Sequence, residues 1–142
     1  MHVSIGTILL IMTTTWSITG QTKSSTIDLY NDLQEFANPI TVMYIAAHPD
    51  DENTRLISWL SNDQHIRTIY LSLTRGDGGQ NLIGTEKGAL LGLLRTQELL
   101  AARRIDHGEQ TFSRANDFGF SKTATETRQF WEEDQILSDV VW

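Results

Sequence analysis

Apolar runs of two kinds alternate along the chain. Thr41-Val-Met-Tyr-Ile-Ala-Ala47 is a continuous run of β-branched, aromatic and small residues between Pro39 and Pro49, and it predicts a strand buried on both faces. Ile66–Leu73 predicts a second strand, and the extended piece Gln110–Ser113 a third. Between and around them the spacing is helical. Ile27–Phe36 reads as a short amphipathic helix, and Asp50–Ser61 as a helix with Leu56, Ile57 and Leu60 on one face. Thr85–Arg104 is the longest helical pattern, with Leu90, Leu93, Leu94 and Leu100 recurring along it. Thr123–Trp142 predicts a last helix, with Thr125-Glu-Thr-Arg128 as its first turn and Phe130, Trp131 and Trp142 packing it on the sheet. Strand and helix in strict alternation imply an α/β fold, a mostly parallel sheet with crossover helices.

The N-terminus departs from that rhythm. Ile5–Met12 is apolar but too short to cross a bilayer core of ~30 Å, and a Ser/Thr-rich patch and Gly20 follow it. That order predicts a signal peptide over residues 1–20 of an exported protein, then a polar lead-in over 21–39 and a domain over 40–142. The chain stops on Val140-Val-Trp142, as if inside an element, which predicts a fragment. Its 142 residues allow one domain, and a net charge of −7 argues against a nucleic-acid partner. Cysteine is absent, so any metal must be held by His and carboxylate.

Candidate chemistry concentrates in Ala46-Ala-His-Pro-Asp-Asp-Glu52. It lies at the carboxyl end of the first predicted strand, where open α/β sheets bind ligands. Pro49 keeps His48 extended and suits the first turn of a helix. His48 and Asp51, three residues apart, can then converge on one point, with Asp50 facing the same cavity. A catalytic zinc needs about three His or carboxylate ligands and an open position for water. A further carboxylate can take the water's proton. His48 and Asp51 are therefore read as ligands and Asp50 as general base, although spacing does not fix which aspartate does which. The same spacing also suits two aspartates capping a helix. His65 and His107 precede predicted strands, at the wrong end of the sheet, and read as surface residues. The glycines of Arg75-Gly-Asp-Gly-Gly-Gln80 lack a P-loop Lys or a Gly-x-Gly-x-x-Gly pattern and read as a plain turn.

Ala-His-Pro-Asp-Asp-Glu after an apolar strand resembles the signature of the LmbE-like, or PIG-L-like, zinc-dependent N-deacetylases. Leu73-Thr-Arg-Gly-Asp-Gly-Gly79 resembles that family's second loop, Arg95-Thr-Gln-Glu-Leu99 its Arg-x-x-Glu-Leu helix, and Ala115-Asn-Asp-Phe-Gly119 its aspartate-containing third loop. The resemblance runs from about Thr41 to Trp142, roughly the first half of the family's domain. It implies a Rossmann-like three-layer sandwich, here truncated, that removes the acetyl group from an N-acetylglucosamine-type substrate. It implies His48 and Asp51 as zinc ligands, Asp50 as base, and Arg95, Asp77 and Asp117 near the sugar. It also implies a third ligand, a His of a later loop beyond Trp142. A non-catalytic carbohydrate- or partner-binding module with the same fold is the alternative reading. Neither the physiological divalent ion nor the oligomeric state is fixed by the sequence.

Overall fold

The structure is a computed structural model and describes residues 25–141. The expected signal peptide over 1–20 and the start of the lead-in lie outside those residues, as does Trp142. Helix α1 (Thr26–Ala37) opens with a reciprocal cap: Ser25 accepts from the Asp28 amide, and Asp28 accepts from the Ser25 amide. Strand β1 (Thr41–Ala46), helix α2 (Thr54–Ser58), a single π-helical turn (Trp59–Asp63) and strand β2 (Arg67–Ser72) follow. Then come α3 (Ala89–Asp106), β3 (Glu109–Phe112), α4 (Ala124–Thr127) and α5 (Glu133–Val141). The sheet is parallel throughout, in the order β1-β2-β3, with Tyr44 beside Tyr70 and Tyr70 beside Gln110. This is the α/β class that the alternation of strand and helix predicts.

The core lies between the sheet and its two crossover helices. Ile57 of α2, Leu99 of α3 and Tyr70 of β2 are its buried centre, with Tyr44, Ala46 and Phe112 packed against them. Burying side chains of this size stabilises the fold by roughly 1.5–3 kcal/mol each. On the other face Ile69, Leu71 and, from α5, Ile136 are buried.

Four sequence expectations need correction. β1 is not buried on both faces: Thr41, Met43 and Ile45 are exposed, because β1 is an end strand of this sheet and α2 and α3 cover its other face. The helix expected from Asp50 begins only at Thr54, capped by Asn53, whose side chain accepts from the Leu56 amide. Residues Pro49 and Asp50 form a turn instead. The helical pattern over Thr85–Arg104 becomes a helix only from Ala89; the leucines that recur along it, Leu90, Leu93, Leu94 and Leu100, are exposed, and the buried stripe is Leu91, Leu99, Arg103 and Asp106. The single last helix is two helices. Phe130 and Trp131 lie between them and pack on the loop after β3 rather than on the sheet.

No helix among the described residues is long and apolar enough to cross a membrane.

Candidate functional site

The site is built on the turn that ends β1. The Asp51 amide donates to the His48 carbonyl (3.3 Å), closing a four-residue turn with Pro49 second and Asp50 third. Asp50 has φ +83°, the positive angle that the third position of a type II turn demands. Proline suits the second position; the third usually takes glycine, and an aspartate there holds mild strain.

Several groups hold the turn. The Asp51 carboxylate folds back to accept from the His48 amide at 3.0 Å. The Asp50 amide donates to Glu52 Oε2 at 2.9 Å, and Glu52 Oε1 faces Arg103 Nη2 at 3.4 Å. Glu52 and Arg103 are both 5 % exposed at their side chains, so this link is shielded from water, and Asp106 completes it with 2.6 Å to the same guanidinium nitrogen. From beneath, the Tyr70 hydroxyl donates to the His48 carbonyl. Burial pushes the Tyr70 hydroxyl up to about 12, so it stays a protonated donor across the physiological range. Arg95 of α3 closes the turn from the side: Nη2 donates to the Pro49 carbonyl at 2.8 Å and meets Asp50 Oδ2 at 2.7 Å.

The functional side chains thus emerge in defined positions. His48 Nδ1 and Asp51 Oδ2 lie 3.3 Å apart. Two atoms bonded at about 2.1 Å to one tetrahedral ion are separated by roughly 3.4 Å, so this pair fits two ligands of a single zinc-sized cation. The opposite ring nitrogen, Nε2, faces Asp117 Oδ1 at 3.6 Å, and Asp117 is only 4 % exposed at its side chain. Asp50 is 74 % exposed at its side chain, and Arg95 engages Oδ2 alone, leaving Oδ1 without a protein partner among the described residues. No group of three or more His, Cys, Asp or Glu side chains is placed to hold a metal among those residues.

Of the residues singled out in the sequence, the structure brings together His48, Asp50, Asp51, Arg95 and Asp117. Asp77 is not among them. It lines a separate cleft with Arg75, Thr96 and Arg114. Arg95, expected at the sugar, is engaged with Asp50 and Pro49. Arg103 and Tyr70 are not singled out in the sequence, and Glu52 is marked there only as the end of the His-Pro-Asp-Asp-Glu motif. A signal for Arg103 existed: it is eight residues from Arg95, two helical turns along the same face. His65 and His107 sit at the amino ends of β2 and β3, away from the turn; His107 caps α3 in a left-handed conformation and pairs with Asn62 at 2.7 Å.

A search of curated proteins gives no match to this chain. The family model for PIG-L, described as GlcNAc-PI de-N-acetylase, matches residues 43–141. That span holds the whole sheet from Met43 onward and every residue of the turn, and the chain belongs to the PIG-L family of deacetylases.

Proposed function

We propose that the protein is a metal-dependent hydrolase that removes the acetyl group from an N-acetylglucosamine-type substrate. One observation carries this reading: His48 and Asp51 point two donor atoms at one place while Asp50, between them in sequence, is held apart from it with an oxygen free. Family membership supports deacetylation, and the spacing of the donors supports a zinc-like ion held by His48 Nδ1 and Asp51 Oδ2. Such an ion, when bound, lowers the pKa of a water molecule and polarises an amide carbonyl.

The protein's own residues do the rest. Arg95 fixes Asp50 by its Oδ2, so that Oδ1 is presented to solvent at the mouth of the site. Asp50 accepts a proton from the attacking water as the new C–O bond forms at the acetyl carbon. It returns a proton to the nitrogen as the C–N bond breaks. The products are acetate and a free amino sugar. An amine leaves poorly without that proton, so one carboxylate serves both halves of the reaction. Asp117, set against Nε2, keeps the imidazole ring from turning away.

Asp50→Asn tests the assignment, because asparagine keeps the shape and the contact with Arg95 but accepts no proton. Acetate release is expected to fall about a hundredfold or more, with zinc affinity by calorimetry unchanged. Turnover at the wild-type rate would show that the base lies elsewhere.

A further inference from the structure

We propose that the cavity beside His48 is the seat of the sugar ring, with Phe118, Phe120 and Trp131 as its stacking wall. This rests on the reading of His48 and its neighbours as a deacetylase site, and it goes further by naming what selects the substrate there. The cavity is about 240 Å³ and runs from His48 and Asp117 to those three aromatic side chains. That is smaller than the roughly 300–1,000 Å³ that encloses a drug-sized ligand, and it suits one pyranose ring.

The two ends of the cavity differ chemically. At one, His48 and the Asp117 carboxylate are polar. At the other, the wall is aromatic, and two of its three rings, Phe118 and Trp131, are held by packing and a hydrogen bond. The Phe118 ring stacks on Phe130 at 4.5 Å between centroids and 12° between planes, and it meets Trp131 nearly edge-on at 5.9 Å. The Trp131 indole is pinned by its Nε1–H, which donates to the Asn116 carbonyl at 2.8 Å. Asp117 Oδ1 accepts from the Gly119 amide at 2.9 Å, and Gly119 takes φ +86°, an angle that glycine adopts freely. This tight bend sends Phe118 and Phe120 out on either side of one glycine, both onto the cavity. Phe120 is 89 % exposed, an apolar ring held in water at the cavity mouth.

A pyranose ring is amphipathic in the matching sense. Its C–H face carries partial positive charge and suits the electron-rich face of an aromatic ring. Its substituents lie around the rim, where an acetamide would reach His48. Asp117 therefore has a double place: it shapes the loop that carries the aromatic wall, and it abuts the imidazole.

The test is an NMR titration of the chain with N-acetylglucosamine, reading the indole N–H signals of its four tryptophans. The Trp131 signal, identified by its loss in Trp131→Phe, is expected to move while that of Trp59 stays. Phe120→Ala is expected to weaken the binding about fivefold, as the loss of one aromatic face contact would, without lowering the melting temperature. Phe120→Tyr should restore it. Unchanged affinity in Phe120→Ala, a Trp131 signal that never moves, or hexanol displacing the sugar from Trp131 with higher affinity would each overturn the proposal. Acetate release is scored separately. Release with a KM insensitive to Phe120→Ala sinks this inference and leaves the deacetylase reading standing. Sugar binding at Trp131 without acetate release does the reverse.

Discussion

At the scale of single residues, Gly78 shows how closely the loops after β2 and β3 approach. A Cβ there would collide with the Asp117 carbonyl oxygen and lie 2.8 Å from its Oδ1. The obstacle is backbone, which cannot swing aside as a side chain tip can. Gly78→Ala is expected to cost about 1–3 kcal/mol, the range for forced overpacking, and to move Asp117 off His48. Thermal denaturation measures the first effect, and the line shape of the His48 ring signals measures the second. A melting temperature equal to wild type would mean that the loop yields freely. The residues that meet within the turn were legible in the sequence, because His48 and Asp51 are three apart and local geometry alone brings them together. Glu52, Tyr70 and Arg103 were not. Their part depends on contacts across 22 to 51 positions of chain, and nothing in residue type announces that a glutamate will face inward. Asp77, expected near the substrate, lines a second cleft with Arg75 and Arg114 and does not join the turn, a placement that its loop position in the sequence does not reveal.

At the scale of elements, the existence and order of strands and helices could be read from periodicity, whereas the buried faces could not. α3 is the clearest case. Its leucines recur at helical spacing, yet the face it turns inward carries Arg95, Arg103 and Asp106 beside Leu91 and Leu99. Charged residues win that face because they are paired on arrival: Arg103 with Glu52 and Asp106, Arg95 with Asp50. β1 and the split last helix were misjudged because burial depends on what covers an element, which its own sequence does not contain. α5 supplies the pH prediction. Arg114, just after β3, grips Asp139 of α5 through its side chain, with Nη2 at 2.7 Å from Oδ1, and through its backbone amide at 3.0 Å. These bonds from Arg114 hold the Asp139 carboxyl below its ordinary value of 3.8. A depressed carboxylate contributes stability that is fully present above the unfolded value and lost as pH falls through the folded one. Protection of the α5 amides, with their intrinsic exchange rate divided out, is therefore expected to fall as the pH drops below 3.8, and Arg114→Gln should abolish that acid-specific step. An equal loss of protection in both proteins would assign the loosening to some other carboxylate.

For the whole molecule, the balance between charge and apolar surface decides behaviour in solution. A net charge of −7 keeps copies apart at long range. At short range the exposed side chains of Met43 and Ile45 on β1, an end strand, offer an apolar strip, and Ile45 shares a hollow with the exposed Leu137 of α5. Such strips favour pairing between copies unless a charge interrupts them. Concentration-dependent association is expected by sedimentation velocity, and Met43→Lys should suppress it while leaving the melting temperature within experimental scatter. A chain that sediments as a monomer at every concentration would refute this. The aspartate at φ +83° has a bearing on the fate of the molecule as well. Glycine would sit more comfortably there, so Asp50→Gly should melt no lower than the parent while hydrolysing nothing. If the proposed hydrolase reading holds, selection for robustness alone would drift toward that inert version, and the need for a proton acceptor would be what keeps the acid in place.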